Sequence, residues 1–188
     1  MKGRLRIGRR LILGLGVLVL LDLAILAAQA VGLRINATAS MPLGLYRVRP
    51  QGSEPLERGT LVAICPSDVV LAVALPRGYL RPGSCRGNVE PLLKRIAAVA
   101  HDRVDVSDGA VAVNGRALPN SGRRARDCAD RPLPRIPAGR YLISPGTIWL
   151  YAPVARSWDS RYFGPEPAAN VVGIATPVLI VGQGRPCA

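Results

Sequence analysis

The chain has 188 residues, 25 Lys plus Arg against 12 Asp plus Glu, and 49 % hydrophobic residues. That length suits one membrane segment plus one domain with a real core and excludes two full domains. The formal charge of +13 would fit a nucleic-acid partner, but aromatic residues are only 4 % of the chain and the arginines are scattered, leaving neither a stacking platform nor a recognition helix.

The first ten residues, "MKGRLRIGRR", form a basic tail without an acid. Residues 11–33 follow as an apolar segment long enough to span a bilayer, interrupted by Asp22. Burying that carboxylate at a helix centre costs about 2.5–3.5 kcal/mol, offset in part by the Leu, Ile and Val around it. We read the segment as a retained transmembrane anchor; the small-x-small pattern Ala28-Gln29-Ala30 also fits the end of a cleavable signal peptide. Either way the basic flank stays cytoplasmic, the membrane is crossed once, and residues 34–188 lie in the periplasm or its equivalent.

Beyond the anchor, short runs punctuated by Gly and Pro read as strands: "GLYRV", "GTLVAIC", "LLKRIAAVA", "RVDVS", "AVAVNGRAL", "RYLIS", "TIWLYAP" and "VVGIATPVLIV". They predict a mainly β domain, a folded sheet or barrel. Asn114-Gly115 predicts a type I′ hairpin turn, and "SDVVLAVALPRGYL" the one short helix outside the membrane, capped by Ser67 or Asp68. Residues 119–139, rich in Gly, Pro, Arg and Asp and without a period, read as an exposed excursion. Four cysteines suit an oxidising compartment. Cys65 and Cys85 flank one compact segment and are the favoured pair, which leaves Cys128 with Cys187; buried free thiols are the alternative. No CxxC is present and there is a single His, so neither a metal site nor a cofactor is expected.

Three stretches carry candidate chemistry. Ser40, in "NATASMPLGLY", lies a few residues beyond the anchor, and a serine needs a base to become a nucleophile. Lys2 and Lys94 are the only lysines in a chain that otherwise writes its cations as Arg. Lys94 sits in the apolar run "PLLKRIAAVA", where lost hydration lowers an amine's pKa and lets it accept a proton, which a guanidinium does not do. A lysine snorkelling from a sheet edge is the ordinary alternative. Strand alternation turns Lys94 and Arg95 to opposite faces. His101, the other conceivable base, sits in the turn-like "VAHDRV". "SWDSRYFGP", residues 157–165, combines hydroxyls, one acid and one Arg, and read alone is a polar turn.

The anchor, "SMP", "LLKRI" and "SWDSRYFG", in that order, resemble the serine/lysine signal peptidase family, and "SMPLGLY" with "PLLKRIAAVA" is most similar to its conjugative-transfer branch, the TraF-type pilin-processing peptidases. The resemblance implies a signal-peptidase-like β domain behind one N-terminal helix. It implies Ser40 as nucleophile, Lys94 as general base, Ser157 orienting the amine, and Asp159 as a supporting acid paired with Arg161 or Arg95. It implies the Ser40 N–H, with the Thr38 hydroxyl, as oxyanion donors. The substrate implied is an exported precursor protein, above all a conjugative pilin of a type IV secretion system, matured by cleavage or cyclisation. A general signal peptidase, and a non-enzymatic assembly protein that binds lipid or a partner through its Arg-rich face, are the alternatives. One departure is visible: where the family has Gly-Asp after the lysine strand, this chain has His101-Asp102.

Overall fold

The computed structural model describes residues 2–184, with side chains from residue 13 onward. The chain divides into two compact units, Met1–Arg34 and Ile35–Ala188. The first is the helix α1 (Lys2–Ala30), whose stretch Leu13–Ala30 is long and apolar enough to cross a membrane and exposes its large side chains. It ends where Gly32 takes a left-handed φ of 79° and its N–H turns back to the Gln29 carbonyl, a conformation glycine adopts without a Cβ clash.

The remainder is mainly β, as the runs predict. In chain order it contains β1 (Leu33–Asn36), β2 (Leu43–Pro50), β3 (Leu61–Ile64), α2 (Asp68–Ala74), β4 (Pro82–Cys85), β5 (Leu92–Ala98), β6 (Arg103–Val106), β7 (Val111–Val113), β8 (Arg116–Ala117), β9 (Gly139–Leu142), β10 (Thr147–Tyr151), α3 (Ser160–Phe163), β11 (Glu166–Pro167) and β12 (Val171–Gly182). Seven strands form one sheet in the order β1-β2-β12-β3-β5-β10-β11, and four form a second, β8-β7-β6-β9. The long β12 pairs antiparallel with β2 along one edge and with β3 along the other, and β3 in turn pairs with the lysine strand β5. In β5 the alternation starting at Lys94 buries Lys94, Ile96 and Ala98 and exposes Arg95, as a pleat requires.

The buried clusters explain why the runs pair as they do. Val62, Ile64, Ile96, Ile148 and Leu150 of the larger sheet pack together, and Val104, Val106, Val111 and Val113 of the smaller sheet pack with Trp149 and Ala98 of the larger. Burying such side chains contributes about 1.5–3 kcal/mol each. Asn114 and Gly115 both take positive φ, 49° and 83°, and join β7 to β8 in the hairpin read from the sequence. His101 adopts a φ of 71°, the conformation a Gly would take freely. The turn holds because Asp102 accepts from the Val99 N–H at 2.9 Å and from Asn114 Nδ2 at 2.8 Å.

Three expectations need correction. Ser67 precedes α2, but its side chain makes no cap; its hydroxyl and N–H donate to Glu166 at 2.7 and 3.0 Å, a buried carboxylate that outcompetes the helix end. α2 is joined by two further short helical pieces that carry no apolar period, α3, which Asp159 caps, and the 3-10 turn Ala168–Asn170, which follows Pro167. Residues 119–139 are also not simply an exposed excursion. Ser121 is buried, Ile136 packs on the core, and the Arg123 guanidinium is covered while donating to the Ile136 carbonyl and to Asp108. Cys65 and Cys85 form a disulfide. Cys128 is not free; Cys187, the partner expected for it, lies outside the described residues.

Candidate active site

Ser40 sits in a loop that Asn36 organises. The Asn36 amide donates to the carbonyls of Thr38, Met41 and Pro42 at 2.9–3.1 Å, and its Oδ1 accepts from the Thr38 N–H and hydroxyl at 3.1 and 2.7 Å. Tyr46 donates to the Pro42 carbonyl at 2.7 Å, while Met41 and Tyr46 sink into the core beside Leu61 and Ala152. The loop between β1 and β2 is therefore fixed from both sides. The Ser40 N–H has no acceptor among the described residues.

Lys94 lies in the middle strand of the trio β3-β5-β10, with Val62 as its register partner. Only 2 % of the residue is exposed. Its Nζ donates to Ser157 Oγ at 2.7 Å, and Ser157 Oγ donates to Ser40 Oγ at 3.3 Å, so the three side chains form one row. Burial lowers the Lys94 pKa from 10.5 to about 8; the Asp159 charge opposes the shift and Arg161 adds to it. A substantial neutral fraction is therefore present just above neutrality.

Asp159 and Arg161 stand behind that row, both fully buried. Asp159 caps α3 by accepting from the Arg161 N–H at 3.2 Å, accepts from Arg161 Nε and Nη2 at 2.8 and 2.7 Å, and accepts from the Ala152 N–H at 3.1 Å. Arg161 donates further to the carbonyls of Asn120, Ala152 and Val154. Ser160 Oγ accepts from the Leu150 N–H at 2.8 Å and clips α3 to β10. Of the two cations offered as partners for Asp159, Arg161 is the one paired; Arg95 faces away, exposed, and donates to the Gly59 carbonyl at 2.5 Å. The Thr38 hydroxyl, implied as a second oxyanion donor, donates to Asn36 Oδ1 at 2.7 Å in this structure. Asn36 and Ser160 were missed from the sequence. Asn36 lies four residues before Ser40, and only that proximity could have marked it.

A cavity of about 440 Å³ opens beside the row, lined by Ser40, Ser157 and Trp158 and by residues 124–133 of the excursion. No cluster of three or more potential metal ligands occurs among the described residues. The arrangement places two hydroxyls and a buried amine of lowered pKa in one line, a group set able to activate a serine for acyl transfer.

A family model described as "Signal peptidase, peptidase S26" matches residues 5–180. The "Probable conjugal transfer protein TraF" of Sinorhizobium fredii (strain NBRC 101917 / NGR234) is 41 % identical over 178 residues, 94 % of this chain and 93 % of that protein. A "Plasmid transfer protein TraF" of Escherichia coli is 37 % identical over 155 residues, 81 % of this chain and 86 % of its own length. Among solved structures, a signal peptidase I from Enterococcus faecalis V583 matches at 20 % identity and a TM-score of 0.36, covering 65 % of this chain and 98 % of that one.

Proposed function

The chain belongs to the signal peptidase S26 family, and from that premise we propose that it is a membrane-anchored serine endopeptidase with Ser40 as nucleophile and Lys94 as general base. The observation that carries this reading is the buried row Lys94–Ser157–Ser40, with an amine whose pKa burial lowers to about 8. Neutral Lys94 takes the Ser40 proton as Oγ attacks the scissile carbonyl; Ser157, hydrogen-bonded to both, aligns amine and nucleophile. The Ser40 N–H stabilises the oxyanion. The Lys94 ammonium then protonates the leaving amine as the C–N bond breaks, leaving an acyl-enzyme on Ser40. Asp159 and Arg161 support the amine from behind.

We propose further that residues 1–10 are a cytoplasmic tail, residues 11–33 the inner-membrane anchor and residues 34–188 a periplasmic catalytic domain. The basic tail and the Cys65–Cys85 disulfide support that orientation. Relatives named conjugal or plasmid transfer protein TraF support an exported precursor of a conjugation apparatus as substrate, a pilin handled by a type IV secretion system. Attack on the acyl-enzyme by water gives a linear product; attack by the substrate's own N-terminal amine gives a ring.

Co-expression of a candidate pilin precursor with the full chain, read by mass spectrometry, tests this. Ser40→Ala and Lys94→Arg are each expected to reduce processing by on the order of 10⁴-fold or more, and normal processing in either variant overturns the pair. A product lighter by one water than the linear cleaved form reports ring closure. The wild-type rate is expected to rise with pH through a midpoint near about 8; a flat profile across the neutral range rejects a titrating amine.

A further inference from the structure

The cavity beside Ser40 has a wall that the proposed chemistry leaves unused. Arg77, Arg124, Arg126, Arg131 and Arg156 line it, and Asp127 is the one carboxylate among the described lining residues.

The wall is built rather than merely decorated with charge. The Asp127 side chain is 6 % exposed. It accepts from Tyr79 Oη at 2.5 Å, from Arg131 Nε at 2.7 Å and from the N–H groups of Ala129 and Arg131 at 2.9 Å, and it pairs with Arg77 at 3.5 Å. Burial alone would raise its pKa; those hydrogen bonds outweigh it and keep the carboxylate ionised. Arg131 also donates to the Arg77 carbonyl at 3.2 Å and lies over the Tyr79 ring. One saturated carboxylate therefore fixes two guanidinium groups, and cannot neutralise both. Arg124 and Arg126 extend the rim at exposed positions, Arg126 pairing with the exposed Asp130 at 3.5 Å. Pre-fixed guanidinium forks in a recess match the planar, bidentate geometry of a carboxylate, and the recess strengthens the attraction relative to open water.

We infer that this wall recognises a carboxylate on the peptide substrate close to the cut, carried by an acidic side chain or by a chain end. The inference rests on the proposed nucleophile only for its location, since Ser40 and the arginines border the same cavity. That shared cavity favours a peptide over a lipid headgroup, because a bound chain is then held next to the attacking oxygen.

Binding of labelled apolar peptides to the full chain in neutral maltoside micelles tests the inference. Fluorescence anisotropy is read in the Ser40→Ala background, so that no turnover intervenes. The peptides share an Ala-x-Ala segment and carry Glu or Gln at each of the following four positions, ending in a carboxylate or a carboxamide. At least one carboxylate peptide is expected to bind about tenfold more tightly than its uncharged counterpart. The Glu and chain-end arms identify which source is read. Two double variants, Arg124→Gln with Arg126→Gln and Arg77→Gln with Arg131→Gln, are each compared with the parent. The preference is expected to shrink in at least one of them, and the exposed pair leaves the packed wall intact. Equal affinity for all peptides, or a preference unchanged in both variants, overturns the inference. So does loss of binding to phosphatidylglycerol vesicles with peptide affinity unchanged, which assigns the wall to lipid. Cleavage persisting in Ser40→Ala would instead overturn the nucleophile and leave the carboxylate readout standing.

Discussion

Two cations, Lys94 and Arg161, are buried within reach of the same carboxylate, Asp159, and their environments drive them in opposite directions. For Lys94 burial is the largest influence, exceeds the attraction of Asp159 and lowers the pKa to about 8. For Arg161 burial also opposes the charge, but its direct hydrogen bonds to Asp159 outweigh it and the pKa rises. The difference is contact. Arg161 holds Asp159 through two nitrogens and spends its other donors on three backbone carbonyls, whereas the polar contact of Lys94 is a neutral hydroxyl. A buried charge with full pairing becomes scaffold; a buried charge without it becomes a group that loses its proton near neutrality.

Breaking the satisfied pair is the harshest test of that contrast. Asp159→Ala leaves Arg161 buried and half paired, so we expect a loss of about 3–5 kcal/mol in unfolding free energy, measured by denaturant or thermal unfolding. Removing the unsatisfied charge should act in the opposite direction. The drop from 10.5 to about 8 corresponds to about 3 kcal/mol of destabilisation at pH 7. The sign follows from proton counts: between about 8 and 10.5 the unfolded chain binds more protons at this residue. The penalty is therefore complete below about 8 and fades as pH rises through 10.5. Lys94→Met is expected to be more stable than the parent by up to that amount at pH 7, with the gap closing toward pH 10.5, while activity disappears. A less stable Lys94→Met at pH 7 would mean that the amine is not held against its hydration.

The same contrast explains what was legible in the sequence. The strands were readable because apolar runs bounded by Gly and Pro have few other solutions, and Asn114-Gly115 and the Cys65–Cys85 pairing follow from local chemistry. Lys94 stood out because Arg replaces Lys almost everywhere else, and strand alternation correctly turned Arg95 away from it. Satisfied polar groups left no such trace. Nothing in the composition of residues 119–139 announces that they cover Arg123 and wall a cavity, since their order comes from side-chain bonds to backbone at long range. Thr38 entered as an oxyanion donor only through the family resemblance; in the structure its hydroxyl donates to Asn36, two residues earlier.

Asn36 offers the smallest and most discriminating test, because it is a neutral, satisfied group that acts on the reactive row only through Ser40. Asn36→Ala removes, without adding a charge, the acceptor for Thr38 and the amide donor shared by the carbonyls of Thr38, Met41 and Pro42. The stability cost should be modest, about 1–2 kcal/mol, since Met41 and Tyr46 still anchor the loop in the core. The effect on turnover should be larger than that cost suggests, as a nucleophile displaced by a fraction of an ångström loses its near-attack geometry: kcat is expected to fall roughly tenfold to a hundredfold with little change in KM. The pH midpoint should remain near about 8, because the surroundings of Lys94 are untouched. A midpoint that moves with this substitution would couple the Ser40 loop to the amine, and the division between a scaffold of satisfied groups and a reactive row would then fail at its nearest boundary.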